Sequence, residues 1–166
     1  MTGFDEFYRA EFAGFVGLTT GLIGRRAGAE DLVQEAMIEL YRRWDRVGAY
    51  DSPRGWVRRV IVQRAQKVAK KRSNERVAHL RAAPLHEGNR STSDLIDEDL
   101  LDGLRGLPHQ QRVAVVLHYL EDCSVKQLAD EMGLAEGTVK VHLFRGRTAL
   151  AEVLSRDSTG GGVAYG

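Results

Sequence analysis

Apolar side chains recur at helical spacing through most of this chain, and few runs alternate as strands would. From Phe4 to about Gly24 the residues are largely aromatic and aliphatic, although three glycines weaken the prediction of a helix there. A clearer amphipathic helix is predicted from Ala29 to Trp44, because its apolar positions recur every three or four residues. Those positions are Val33, Met37, Leu40 and Trp44.

A third helix is predicted from about Pro53 to Ser73, since Ser52 can cap it and Pro53 suits a first helical turn. The periodicity then stops over residues 82 to about 93, where proline, glycine and serine predict a linker. Apolar periodicity resumes near Leu95, and Pro108 introduces a further helix.

This pattern predicts an all-α protein built from two small helical domains joined by a flexible linker. We place the first domain at residues 1–81, the acidic linker at 82–96 and the second domain at 97–156. The glycine-rich residues 157–166 are expected to form a disordered tail.

The second domain contains a predicted helix-turn-helix. Ser124 and Gln127 have the spacing of a capping box, and Gly133 supplies a left-handed stop. In the following helix Val139, Leu143, Gly146 and Leu150 must face inward. The side chains left outward or on the flanks are Glu136, Thr138, Lys140, Val141, His142, Phe144, Arg145, Arg147 and Thr148. A basic outer face on such a helix favours DNA binding over a plain helical hairpin.

The net charge of +1 conceals a strong polarity along the chain. Residues 54–81 contain ten Lys and Arg against the single acid Glu75, whereas residues 82–106 contain six acids against two arginines. A basic block beside an acidic one indicates a site for a polyanion next to a separate acidic segment.

The basic block lies on the predicted third helix. Its outward polar side chains are Arg54, Arg58, Arg59, Gln63, Lys67, Lys70 and Lys71. Several cations on one helix favour nucleic acid over a merely solvated face, with binding that weakens steeply in salt. Tyr50 and Trp56 are candidates for stacking on an unpaired base, although Trp56 is better explained as a core aromatic.

The outer face of the second helix carries a compact patch of Asp31, Gln34, Glu35 and Ile38. Three polar residues around one apolar anchor suit docking on a basic partner helix. An ordinary solvated face explains the same pattern equally well.

The sequence gives little support for a catalytic site, a metal site or a membrane-spanning segment. His109, His118 and Cys123 lack a recognised metal-ligand spacing, and no glycine-rich phosphate loop follows a strand. No cofactor is therefore expected, and the chain is not expected to be an enzyme. One cysteine excludes an intrachain disulfide and fits a reducing cytoplasm. No apolar run is long enough to span a bilayer, so membrane insertion is not expected.

Four motifs resemble the bacterial extracytoplasmic-function (ECF) sigma factors of the sigma-70 family, which carry only sigma regions two and four. Residues 29–35 (AEDLVQE) are similar to the region-two signature, and residues 52–60 (SPRGWVRRV) to the promoter-melting helix. Residues 107–112 (LPHQQR) and 137–140 (GTVK) are similar to the opening and the recognition helix of region four.

The resemblance implies a role for each surface. The patch of Asp31, Gln34 and Glu35 would dock on the clamp helices of the largest subunit of core RNA polymerase. Region four would contact the flap of the polymerase. The loop 47–52 and the basic helix would open and read the minus-10 element and hold a flipped base. Thr138, Lys140, His142, Arg145 and Arg147, with Glu136 beside them, would read the minus-35 element. An anti-sigma protein is the partner expected to control the factor.

Four residues depart from the family pattern, and these departures bear on the promoter sequence and not on the class. Gln63 and Lys67 stand where relatives often have Asn and Asp, and His142 replaces a frequent Arg. Ala135 stands where a capping Ser or Asp is usual.

Two other functions remain open on the sequence. One is a conventional helix-turn-helix regulator that binds duplex DNA without polymerase. The other is a sigma-like interaction protein without transcription activity, against which the basic helix argues.

Overall fold

The computed structural model describes residues 3–78 and 96–160, and the side chains of residues 3–74 and 96–156. Every regular element in these ranges is an α-helix, which confirms the all-α prediction. The helices are α1 (Phe4–Ile23), α2 (Ala29–Arg42), α3 (Trp44–Val47), α4 (Pro53–Ala78), α5 (Glu98–Arg105), α6 (His109–Leu120), α7 (Val125–Met132) and α8 (Glu136–Gly160).

The first half of the chain packs α1, α2 and α4 around one apolar core. Phe15, Met37 and Ile61 are fully buried where the three helices meet. The helix α1 forms despite its glycines because its second half is buried, and packing outweighs weak propensity. Its Gly21 permits a close approach, since a Cβ there would lie 3.0 Å from Ile96 and 3.2 Å from Val116.

The predicted helix from Ala29 to Trp44 is two helices in the structure. The helix α2 ends at Arg42, and Trp44 begins the short α3, where its indole packs 5.5 Å from the ring of Phe7. The helix α4 starts at Pro53 as predicted and continues to Ala78. The predicted cap is present, because the Gly55 N–H donates to the Ser52 hydroxyl at 3.0 Å.

The second half packs α5, α6 and α7 against α8. The Ser124–Gln127 capping box is formed, and Gly133 has the left-handed φ of 65° that ends α7. Asp97 caps α5 by accepting from the Leu100 N–H at 2.7 Å. The helix α8 continues to Gly160, beyond the boundary expected at residue 156.

The two halves pack directly against each other, and their buried apolar residues form one continuous core. Ile96, which the sequence assigned to the linker, is 1% exposed within this core. The two predicted domains are therefore in direct contact in this structure. The linker prediction for residues 82–95 and the tail prediction for residues 161–166 lie outside the described residues.

Two arginines of the second half close the C-terminal end of α1. The Arg112 Nε donates to the Leu22 carbonyl at 2.8 Å, and its Nη1 donates to the Leu107 carbonyl at 3.1 Å. The Arg105 Nε donates to the Gly24 carbonyl at 2.9 Å. Carbonyls at a helix C-terminus lack intrahelical partners, so these contacts cap α1 and tie the two halves together.

Candidate nucleic-acid interface

The helix α4 presents a polar and cationic stripe on its exposed side. These positions recur every three or four residues, so they share one face of the helix. The exposed members are Arg59, Gln63, Lys67, Lys70 and Lys71. The structure therefore brings five of the predicted minus-10 residues together on one surface, which we call the cationic stripe.

The arginines Arg54 and Arg58, which sequence analysis placed on the same outer face, are engaged elsewhere. The Arg58 Nε and Nη2 both donate to the Glu131 carboxylate, at 3.0 and 2.6 Å. The Arg54 Nε donates to Glu11 at 2.9 Å, and its Nη1 donates to Glu121 at 2.6 Å. Glu121 and Glu131 belong to the second half, so both arginines lie in the contact between the halves.

Burial makes these ion pairs tight. The side chains of Arg58 and Glu131 are 15% and 3% exposed, so water screens the pair poorly. The hydrogen bond from Arg58 to Glu131 raises the pKa of Arg58, and that from Arg54 to Glu121 raises the pKa of Arg54. Both guanidinium groups therefore stay charged at every physiological pH.

The two candidate stacking aromatics have different environments. Tyr50 is exposed in the loop before α4. Trp56 is half-buried and packs against the core, as the core interpretation of the sequence anticipated. Tyr50 is therefore the more accessible of the two rings.

The helix-turn-helix leaves one side of α8 in solvent. Val139 and Gly146 are buried as predicted, and Leu143 and Leu150 are half-buried against the core. The exposed members of the predicted minus-35 set are Glu136, Thr138, Lys140, Arg145 and Arg147. Arg147 also donates from Nη1 to the Tyr119 hydroxyl at 3.0 Å.

His142 differs from the rest of the predicted minus-35 set because it is half-buried. Its Nδ1 is buried and has no hydrogen-bond partner among the described residues. Its ring is therefore less accessible than the neighbouring Lys140 and Arg145.

Val141 and Phe144 are not among the predicted DNA-binding residues, although helical spacing places both outward or on the flanks. They are 45% and 63% exposed, one helical turn apart, between the exposed cations Lys140 and Arg145. The signal in the sequence was the placement of two large apolar side chains on the outer face of the predicted DNA-reading helix. Folding does not require apolar side chains at those positions.

The residues of the predicted docking patch lie on α2. Asp31, Glu35 and Ile38 are exposed, and Ile38 shows 52% of its surface to solvent. Gln34 is half-buried and accepts a hydrogen bond from the Tyr8 hydroxyl at 3.3 Å. Glu35 accepts from the Arg64 Nη1 at 2.8 Å, so part of its charge is already paired.

Tyr41 lies one turn beyond Ile38 and is 66% exposed. It extends the apolar part of the patch in a direction that sequence analysis did not identify.

The described part of the chain shows no candidate metal site. No group of three or more His, Cys, Asp or Glu there is arranged to hold a metal ion. Burial raises the pKa of the Cys123 thiol, and the His118 Nδ1 lies 2.8 Å from the Cys123 carbonyl. Burial also lowers the pKa of His109 to about 4. In the part of the chain that the structure describes, no helix is both long and apolar enough to cross a membrane.

Comparison with known proteins identifies the family. The model of Sigma-70 region 2 matches residues 8–75, and the model of Sigma-70 region 4 matches residues 97–150. The RNA polymerase sigma-E factor of Streptomyces avermitilis is 31% identical over 93% of this chain and 87% of its own length. The ECF RNA polymerase sigma factor SigE of Mycolicibacterium smegmatis is 27% identical over 96% of this chain and 64% of its own length.

A solved structure shares the fold. It is the sigma factor RpoE in complex with the anti-sigma factor NepR from Bartonella quintana. The match has a TM-score of 0.70 and 22% identity, and covers 92% of this chain and 96% of that one. Together the two matched regions and the near full-length relative show that the chain belongs to the sigma-70 family, as an extracytoplasmic-function RNA polymerase sigma factor, a non-enzymatic protein that directs transcription initiation.

Proposed function

We propose that this sigma factor docks on core RNA polymerase through α2 and contacts promoter DNA at two places, through α4 and through α8. The observation that carries the proposal is the presence of two cationic surfaces on different halves of the chain. One surface suits a melted strand and the other a duplex, and a conventional duplex-binding regulator needs only the second.

The docking patch supplies an apolar anchor with acids at its edge. Ile38 and Tyr41 offer exposed apolar surface, while Asp31 and Glu35 suit a partner of opposite charge. The residues proposed to bind polymerase are Asp31, Gln34, Glu35 and Ile38. The clamp helices of the largest subunit are the proposed partner, with the flap as the partner of the second half.

At the minus-10 element the cationic stripe would hold the phosphates of the separated strand. Tyr50, exposed beside the start of α4, is positioned to stack on a flipped base. Arg54 and Arg58 would add two further phosphate contacts once Glu121 and Glu131 release them.

At the minus-35 element α8 would enter the major groove. Lys140, Arg145 and Arg147 suit phosphates and guanine edges, and Thr138 suits either kind of contact. The exposed pair Val141 and Phe144 suits the methyl group of thymine, which is the apolar feature of that groove.

Transcription in vitro with core polymerase and a library of promoters tests the proposal. We expect promoter-specific transcripts that depend on this protein. Duplex binding without transcripts would favour the conventional regulator instead, and binding to core without any transcript would favour an interaction protein.

Reversing the charge at the docking patch tests the polymerase contact. Glu35→Arg places a cation against the partner and beside Arg64, so we expect affinity for core polymerase to fall at least about tenfold. The measurement is a fluorescence titration of labelled sigma factor with core enzyme, with circular dichroism to verify the fold.

Glu6→Arg is the matched control, because Glu6 is an exposed acid on α1 outside the patch. It should leave the affinity for core within about twofold of wild type. Equal losses in both variants would show a general charge effect and remove the docking assignment.

Two substitutions on α8 separate charge from shape in duplex recognition. Arg145→Ala should weaken binding by about 1–3 kcal/mol if its guanidinium reads a base. Phe144→Ala should weaken binding mainly to sites that contain thymine at one position. Replacing that thymine with uracil should abolish the difference in affinity between the variant and wild type. The measurement is anisotropy of labelled duplexes selected by transcription, and equal losses on thymine and uracil duplexes would refute methyl recognition.

An anti-sigma protein that covers the docking and DNA surfaces is the proposed regulator. The shared fold with a sigma factor solved in complex with an anti-sigma factor supports this proposal. Because transcription takes place with core polymerase, we propose a cytoplasmic location.

A further inference from the structure

Tyr119 and Arg147 form a polar pair beside the DNA-reading side of α8, and the proposed function gives the tyrosine no role. The Arg147 Nη1 donates to the Tyr119 hydroxyl oxygen at 3.0 Å, across the contact between α6 and α8. Both residues are exposed, and Tyr119 shows 51% of its surface to solvent. The pair is therefore accessible to a partner.

The direction of this hydrogen bond leaves the tyrosine with a donor to spare. A phenol hydroxyl has one hydrogen and accepts through its lone pairs. Its oxygen accepts from Arg147, and no residue that the structure describes accepts its hydrogen. The guanidinium uses a single N–H group in the contact and keeps its others. One neutral and one cationic donor therefore lie side by side, which suits two oxygens of one phosphate.

The ring of Tyr119 is held by its neighbour in the chain. His118 packs edge-on against it, with ring centroids 4.9 Å apart and an interplanar angle of 87°. The His118 Nδ1 lies 2.8 Å from the Cys123 carbonyl oxygen. Because a carbonyl only accepts, the Nδ1 carries the hydrogen, and this bond fixes the imidazole. The hydroxyl is thus in place before a ligand arrives, which lowers the entropic cost of binding.

Arg147 lies where α8 leaves the region that reads bases. Lys140, Phe144 and Arg147 recur at i, i+4 and i+7, so they follow one exposed side of the helix. A rise of about 1.5 Å per residue places Arg147 roughly 16 Å along the axis from Glu136. In a helix-turn-helix the N-terminal residues of the second helix reach base edges, in a groove about 12 Å wide. A cation beyond that distance meets the DNA backbone.

We propose that Tyr119 and Arg147 together bind one backbone phosphate at the edge of the minus-35 element, with the hydroxyl and the guanidinium each donating to it. The inference rests on the proposed binding of α8 to duplex DNA. It adds a residue of α6, outside the helix-turn-helix, to the duplex contact. A phosphate contact carries no sequence information, so this one sets the position of α8 along the groove and not the bases that are read.

An apolar side chain of polymerase is the competing ligand for this corner, since Leu120 beside Tyr119 is 45% exposed. Such a contact would use the tyrosine ring and leave the hydroxyl idle. The hydrogen bond to Arg147 instead places a cation at the rim of the ring, which favours an anion there. Removing the hydroxyl alone therefore distinguishes the two ligands.

Tyr119→Phe removes the hydroxyl and keeps the ring. The probe is a fluorescein-labelled duplex that carries a minus-35 element selected by transcription, titrated at several salt concentrations. We expect Tyr119→Phe to weaken binding about fivefold. The slope of log affinity against log salt should not change, because a neutral donor releases no counterion. Arg147→Ala should weaken binding at least about tenfold and reduce that slope by about 0.9, the value for one phosphate of B-DNA.

Tyr8→Phe is the matched control, because its hydroxyl also donates within the chain, to Gln34, but lies on α1. It should leave the affinity for the duplex within about 1.5-fold of wild type. In an Arg147→Ala background Tyr119→Phe should cost less than about twofold, since the phosphate is no longer held between two donors. A shallower salt slope in Tyr119→Phe itself would show that the tyrosine only positions Arg147, and would overturn direct donation.

Methylphosphonate substitution of single phosphates locates the contact, because it removes the charge of one phosphate at a time. At one position bordering the minus-35 element, wild type and Tyr119→Phe should bind with equal affinity. If no position removes the difference between them, the hydroxyl does not bind a phosphate. If only Tyr119→Ala acts, and it lowers affinity for core polymerase and not for the duplex, the corner binds a protein and the proposal is refuted.

The failure of this inference is distinguishable from the failure of the proposed function. If Arg145→Ala weakens binding to the duplex while Tyr119→Phe binds as its control does, the phosphate contact alone is refuted. If wild type transcribes no promoter and binds no duplex, the proposed function itself fails.

Discussion

Arg112→Ala should lower the free energy of unfolding by about 3 kcal/mol, because it leaves two buried carbonyls without donors. The Arg112 side chain is 9% exposed and bridges the Leu22 carbonyl of α1 and the Leu107 carbonyl of the second half. Burial lowers the pKa of Arg112, which means that burying its charge is costly. Removing that charge therefore recovers part of the lost free energy of unfolding. Denaturant unfolding followed by circular dichroism measures the change.

Arg105→Ala is the control, since Arg105 makes the neighbouring contact with the Gly24 carbonyl from a half-exposed position. We expect a cost of at most about 1 kcal/mol there. Arg112→Met keeps much of the apolar stem and should fall between the two. If Arg112→Ala lies within about 0.5 kcal/mol of wild type, the capping of α1 does not hold the halves together.

The helices could be predicted from the sequence because their signals are local. The Ser124–Gln127 capping box, the Gly133 stop and the inward Val139 all depend on spacing within a few residues, and all are present. The cationic stripe of α4 was predicted for the same reason, since helical periodicity alone places its members on one face.

The packing of the halves could not be predicted because it depends on pairs far apart in the sequence. Arg58 and Glu131 are separated by 73 positions, and Arg112 and Leu22 by 90. The charge of Arg58 predicted contact with an anion, but nothing local showed that a carboxylate of the same chain makes that contact. The same limitation placed Ile96 in the linker, because Gly21, against which it packs, lies far away in the sequence on α1.

These two kinds of contact have different consequences for function. Periodicity defines the surfaces that a partner can use, namely the docking patch, the cationic stripe and the outer side of α8. Long-range pairs decide which of those surfaces are available in the free chain. In this structure the cationic stripe and three of the four docking residues are exposed, while Arg54 and Arg58 are bound by Glu121 and Glu131.

Gly146→Val should destabilise the helix-turn-helix half by about 3 kcal/mol, because α8 crosses α6 with no room for a side chain. A Cβ at Gly146 would lie 2.8 Å from the Val115 Cγ2 and 3.2 Å from the Gln111 carbonyl oxygen. The oxygen belongs to the backbone of α6 and cannot move without shifting the helix. Denaturant unfolding measures the loss, and duplex binding should weaken with it because the reading helix tilts.

Gly137→Val provides the matched comparison in the same helix, since a Cβ at Gly137 meets nothing within 4 Å. Valine has a higher helix propensity than glycine, so we expect this variant to be neutral or more stable by about 0.5 kcal/mol. Opposite signs at the two positions would establish that close helix packing, and not propensity, requires glycine at 146. If Gly146→Val is as harmless as Gly137→Val, α8 can shift away from α6 at little cost. The contact at Gly146 would then not fix the position of α8 against the core.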